Sequence, residues 1–256
     1  MTRNNFITQA SYALTFALLL SFGAAQAEEA SPPVLLESFA CSYHDGKDRD
    51  DLLAARNYMV KQAAKAEMSL APSYVWHRYK GGPDLDHVWF SVHESLATFA
   101  AQSEAFGAAP EMADVEARFE NVAECDSNIA MARPVFQGSE AANDGGTAFI
   151  ASNACMVHPG TSPADLIDLE NHIRDVLGGI SEYNASSVFM ATPMTAGPNS
   201  ADAYLFLVHP SQSQWAATSA AFQASAGRDS LVRHFQAVLD CKTSLWFSEQ
   251  VVGEAE

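Results

Sequence analysis

Positive charge is what this chain has least of. Fourteen Lys and Arg stand against 31 Asp and Glu, a formal net charge of −17. Such a surface repels phosphate backbones and anionic headgroups, which excludes nucleic acid and a polybasic membrane contact as partners. Long apolar runs are nearly missing as well. The one that exists, over 12–22, follows Arg3 and precedes Ala25-Gln26-Ala27. A short apolar core behind a basic residue and ahead of a small-residue cleavage site predicts a secretory signal peptide over 1–27. A bilayer-spanning helix needs about 20 apolar residues. No later segment qualifies, so no membrane contact is expected after cleavage. Arg3 is the one charged residue removed, leaving 13 basic and 31 acidic side chains and a net charge of −18. A periplasmic or secreted location follows. Cysteine is also scarce: there are four, all beyond residue 27. In an exported chain an even count predicts disulfides. Cys41-x-x-His44 and Cys155-x-x-His158 each offer two ligands where a structural zinc site takes four, so no metal is expected there.

Against these absences stands one strong presence, an internal repeat. Shifted by 116 residues, Asp86, Phe90, His93, Ser95, Phe106, Phe119, Val122 and Cys125 fall without a gap on Asp202, Phe206, His209, Ser211, Phe222, Phe235, Val238 and Cys241. The repeat predicts two halves, 33–136 and 148–252. Between them lies a linker over 137–147, rich in Gly, Ala and Asn.

Each half reads in the same order. A strand over 34–43 precedes a helix capped by Asp48. In the second half a strand over 148–157 precedes a helix capped by Ser162 with Pro163 at its first position. Two further strands follow, over 74–80 and 86–92, matched by 187–192 and 203–208. A helical region then begins at Ser95 or Ser211 and ends at a cysteine, before a last strand over 128–136 or 244–251. The order β-α-β-β-α-β is ferredoxin-like. In that order the first and last strands are antiparallel neighbours, which brings Cys41 to Cys125 and Cys155 to Cys241. Disulfides within each half are therefore expected, each worth about 4–5 kcal/mol.

The third strand of the second half, Ala203-Tyr204-Leu205-Phe206-Leu207-Val208, is apolar on both faces, so both must be covered. Helices cover one, and the sheet of the other half is the economical cover for the second. Two ferredoxin-like units packed sheet to sheet about a pseudo-twofold resemble the dimeric α+β barrel superfamily, here as a pseudo-dimer within one chain. The resemblance is one of architecture. It implies a small-molecule site and transfers no catalytic residue, because no motif of the haem-binding, monooxygenase or peroxidase members stands at matching positions.

The candidate site comes from an asymmetry between the halves. Val88, Phe90 and Val92 alternate with His87, Trp89, Ser91 and His93. The first set, with Trp76, is expected under the helices. The second, with His77 and Tyr79, is expected to face the opposing sheet. The matching positions, Met190, Thr192, Ala203 and Leu205, are almost all apolar. His77, Tyr79, His87 and Trp89 are thus the expected ligand-binding group, and His77, His87 and His93 the candidates for acid–base chemistry. His93 and His209 also read as anchors of the loops that follow them. Three functions fit: binding of a small, partly apolar molecule, with or without catalysis; haem or metal binding through one of the histidines; and a non-catalytic interaction or stress protein. No cofactor is expected, and haem or a divalent metal stays open as the alternative.

Overall fold

The chain repeats one element order. β1 (Val34–Tyr43), α1 (Arg49–Lys65), β2 (Ser73–Gly81), β3 (His87–His93), α2 (Leu96–Ala108), α3 (Val115–Glu120) and β4 (Ala123–Gln137) make the first half. β5 (Ala148–Val157), α4 (Pro163–Gly178), β6 (Ser187–Pro193), β7 (Ala203–His209), α5 (Gln212–Ala224), α6 (Arg228–Val238) and β8 (Leu239–Val252) make the second. The structure, a computed structural model, describes residues 32–82, 84–141, 146–195 and 200–253. The expected signal peptide and linker residues 142–145 lie outside the described residues.

Local chemistry explains where the helices start. Asp48 accepts from the N–H groups of Asp50 and Asp51, and Asp51 accepts in return from Asp48 N–H, a capping box that opens α1. Ser162 and Asp165 form the same device before α4, with Pro163 at a position whose N–H has no partner to lose. Ser95 and Ser211 cap α2 and α5 by accepting from Thr98 N–H and Gln214 N–H, each at 3.1 Å. The repeated Asp86 and Asp202 are explained too. Each carboxylate accepts from the end of its half's first strand, Tyr43 N–H at 2.8 Å and Val157 N–H at 2.9 Å.

All eight strands form one closed barrel in the order β1-β3-β2-β8-β5-β7-β6-β4. The halves are joined edge to edge by hydrogen bonds, where face-to-face packing of two separate sheets was expected. The last strands make this possible. β4 and β8 start at Ala123 and Leu239, about five residues before the expected points, and each is long enough to pair twice. β4 runs beside β1 and then β6; β8 runs beside β5 and then β2. Closure leaves no open sheet edge. It also places the cysteines inside strands, directly opposite their partners: Cys41–Cys125 with Cα atoms 4.1 Å apart, and Cys155–Cys241 with Cα atoms 4.0 Å apart.

The barrel interior is filled with large apolar side chains. Trp76 lies 4.3 Å from Phe90 and edge-on to Phe206 at 5.1 Å between ring centroids. Val88, Ile150 and Trp246 pack with Phe90, and Ala130, Ala132 and Ala191 pack around Phe206. Trp246 Nε1–H donates to Ser152 Oγ at 3.0 Å, which satisfies its polar edge. This corrects the expected facing: Trp76, Val88 and Phe90 point into the barrel, and the His87–Trp89 set lies on the outer face, under the helices.

Candidate functional site

The two outer faces are built differently. In the second half, Met190 and Leu205 of the sheet meet Leu169, Ile173 and Leu177 of α4 and Leu231 of α6 in one continuous apolar core. In the first half Leu52 and Ala55 of α1 pack on Val75 and Trp89, and the rest of the face is left open. No residue of α2 is fully buried, although the helix is made largely of Ala, Phe and Leu. Between α1–α3 and the sheet lies a cavity of about 550 Å³.

Strand register lays out the sheet face beneath it in rows. Cys41, His87 and His77 stand side by side across β1, β3 and β2. The next row is Phe39, Trp89 and Val75; the next is Glu37, Ser91 and Ser73; the last is Leu35 and His93. The corresponding pairs in the second half are Ala203 with Cys155, Leu205 with Met190 and Asn153, and Leu207 with Val188 and Ala151. Glu37, Ser73, His87, Trp89 and Ser91 therefore stand where the other half has Ala151, Val188, Ala203, Leu205 and Leu207. The same register makes Met190 the counterpart of Val75, where the sequence expectation matched it with His77.

The polar groups of the floor form two chains. Trp89 Nε1–H donates to Ser91 Oγ at 3.2 Å, and Ser91 lies 3.1 Å from Ser73 Oγ. The Ser73 hydroxyl donates to the Ala71 carbonyl at 2.9 Å, so Ser91 donates to Ser73. The second chain runs from α2 to β1. His93 Nδ1–H donates to Gln102 Oε1 at 2.9 Å, while His93 Nε2 stands 3.5 Å from Glu37 Oε2 and is buried without a hydrogen-bond partner. Phe99 meets the His93 ring edge-on, with centroids 5.2 Å apart. Burial pushes the Glu37 carboxyl up from its ordinary value, and His93 opposes the shift. At the far end His87 stacks on Tyr43 at 4.6 Å, its Nδ1 unpartnered. Burial, with His77 adding to it, pushes the His87 imidazole down to about 4, so the ring is neutral at pH 7. Burial and the Asp86 carboxylate push the Tyr43 phenol up to about 12.

Of the expected ligand-binding residues, the structure brings together His87 and Trp89, with His93 beside them. His77 shares their face but lies outside the cavity. It donates to Glu249 Oε1 at 2.8 Å, and Arg49 holds the same carboxylate at 2.6 and 2.9 Å. Tyr79 is elsewhere. The β2–β8 register shifts between Arg78 and Lys80, and Tyr79 packs on Phe247 and Phe149, centroids 5.1 and 5.8 Å away. Its hydroxyl accepts from Gln212 of α5 at 3.1 Å. His209, the counterpart of His93, bonds Ser186 Oγ at 2.9 Å, and burial pushes it down to about 4. His44 and His158 donate to the carbonyls of Glu120 and Ala237, which ties down their loops. Among the described residues no group of three or more His, Cys, Asp or Glu is placed to hold a metal ion.

Glu37 and Gln102 were missed in the sequence. A signal for Glu37 was present: a carboxylate sits on the same strand face as Leu35, Phe39 and Cys41, where the matching strand has Ala151.

This architecture, a closed eight-stranded barrel with helices outside, bears out the expected resemblance to the dimeric α+β barrel fold. Solved structures agree. A candidate monooxygenase from Fusobacterium nucleatum matches with a TM-score of 0.55 at 11% identity, over 87% of this chain and 94% of its own. A candidate chlorite dismutase matches with a TM-score of 0.52 at 9% identity, over 86% and 96%. At such identity the likeness is one of fold. No family model matches the sequence, and no curated protein does.

Proposed function

We propose that this is an exported protein that binds a small, partly apolar molecule in the cavity between the first-half sheet and α1–α3. One observation carries the reading: of two outer faces built on the same repeat, one is closed by a continuous apolar core and the other holds a cavity of about 550 Å³ floored by Glu37, Trp89, Ser91 and His93. A fold that needed those polar groups for its own stability would need them in both copies. An aromatic-walled cavity with a few convergent polar groups is the usual make-up of a small-molecule site. The halves are read as ferredoxin-like repeats, 33–136 and 148–252 joined by 137–147, with the first specialised for binding and the second for packing.

Trp89 is the wall, Ser91 fixes its edge, and Glu37 and His93 take the polar end of the ligand. If a reaction occurs, proton transfer at that end is the chemistry these side chains support. Haem fits the lining poorly. Its propionates need cationic partners, and the cavity is lined by Glu37 and Glu116 with no Lys or Arg. The candidate monooxygenase and the candidate chlorite dismutase that share the fold are consistent with small-molecule chemistry.

Export is supported by the two disulfides and by the leader-like residues 1–27. Mass spectrometry of the exported protein should find Glu28 at the N-terminus. Binding is tested by screening small aromatic and alicyclic compounds for quenching of tryptophan fluorescence, with Trp89→Phe as control. Expected hits raise the melting temperature and lose their quenching in Trp89→Phe. A screen in which no compound shifts the wild-type melting temperature would sink the reading.

A further inference from the structure

We propose that the ligand of this cavity is an organic cation, an ammonium group on an aromatic or alkyl body, held between Glu37 and His93. The inference rests on the reading of the cavity as a ligand site and adds the charge of what it takes.

The direction of the hydrogen bonds points to it. Trp89 Nε1–H is taken up by Ser91, the Ser91 hydroxyl by Ser73, the Ser73 hydroxyl by the Ala71 carbonyl, and His93 Nδ1–H by Gln102 Oε1. What remains at the polar end is the Glu37 carboxyl group and the buried Nε2 of His93, 3.5 Å apart and joined by no hydrogen bond. A primary ammonium carries three N–H donors and no acceptor, and bridges both. A hydroxyl has one donor and satisfies only one of them.

The charge of the lining agrees. Glu37 and Glu116 line the cavity with no Lys or Arg, so a carboxylate or phosphate would be buried against like charge. Phe39, Trp89, Phe99, Phe106 and Phe119 supply ring faces and edges around the head group, and ring faces attract cations.

Binding should then be linked to protons. Burial holds the Glu37 carboxyl toward its protonated form. A bound cation favours the carboxylate, so amine binding expels that proton and tightens as pH rises. The other ionisable groups of the lining are His93 and His87 of β3 and Glu116 of α3; α1, α2 and β2 contribute uncharged side chains. A protonated His87 would weaken amine binding at low pH, in the same direction as a protonated Glu37.

The test uses the full chain and three probes of one shape: 4-phenylbutylamine, 4-phenylbutan-1-ol and 4-phenylbutyrate, titrated by calorimetry. The amine is expected to bind about tenfold more tightly than the alcohol, as a charge-assisted contact does over a neutral one, and the acid not at all. Amine affinity should fall between pH 7.5 and pH 5 while the alcohol's stays level. Glu37→Gln, checked for folding by its melting curve, should remove the amine's advantage over the alcohol. An alcohol or acid that binds as well as the amine, or a Glu37→Gln variant that keeps the preference, overturns the cation and leaves the cavity reading standing. If none of the three binds and the compound screen also fails, both readings fall.

Discussion

Ser91 and Leu207 hold equivalent places, opposite Glu37 on β1 and Ala151 on β5, and exchanging them tests whether the first half gives up packing for binding. Ser91→Leu puts an apolar side chain into open space. Burying it stabilises by up to about 2 kcal/mol. The lost hydroxyl leaves Trp89 Nε1 and Ser73 without their partner, which costs about 1–3 kcal/mol. The two effects nearly cancel, so the variant should melt within about 5 °C of wild type, at about 2–4 °C per kcal/mol for a chain of this size. Binding should nonetheless be lost, because the new side chain stands between Trp89 and the Glu37–His93 end. Leu207→Ser does the opposite. It takes a partly buried side chain away from the core around Leu169 and Ile173 and adds a hydroxyl there, at a cost of about 2–3 kcal/mol. The melting temperature should drop by about 5–10 °C while ligand binding in the first half is kept. Thermal melts and fluorescence titration with a screening hit read both. A Ser91→Leu protein as destabilised as Leu207→Ser, or one that still binds, would mean the first face is ordinary core.

Three other outcomes follow from the structure. Replacing Cys155 and Cys241 by Ser releases a link between residues 86 apart in sequence, which the chain-entropy relation puts at about 4–5 kcal/mol. A non-reducing melt should fall by about 10 °C, and an unchanged melt would show that the bond contributes nothing. His87 and His209 are both held neutral, at about 4 against an ordinary 6.5. A depressed pKa contributes stability that is full above the unfolded value and lost as pH falls toward 4. At pH 5 each histidine should have cost about 2 kcal/mol relative to pH 7.5, partly offset by Glu37, whose shift has the opposite sign. Urea midpoints at the two pH values check this, with a smaller drop expected in His209→Gln; equal midpoints would refute it. Finally, His77→Ala breaks a partly exposed contact with Glu249 that Arg49 also holds. It should cost no more than about 1 kcal/mol and leave binding unaltered, so a His77→Ala protein that no longer binds would return that residue to the site.

Much of this protein was legible in its residues. The repeat from Asp86 to Cys125 and from Asp202 to Cys241, the caps at Asp48 and Ser162, and the alternation along each strand are local signals. They led to the element order, to the pairing of all four cysteines, and to the first half as the place where the copies differ. The period of two also kept His87, Trp89, Ser91 and His93 together on one face. Tertiary structure decided which face that was. In a closed barrel wrapped by helices both faces of a strand are buried, so alternation separates two sets of side chains without saying which points inward. Trp76, Phe90, Phe206 and Trp246 fill the barrel, which leaves His87, Trp89, Ser91 and His93 beneath α1–α3. Register was equally a tertiary matter. The β2–β3 turn pairs His77 with His87, and the shift near Arg78 sends Tyr79 to the other half. Glu37 came to His93 only because β1 lies beside β3, a pairing of strands 56 residues apart in sequence that no local pattern shows.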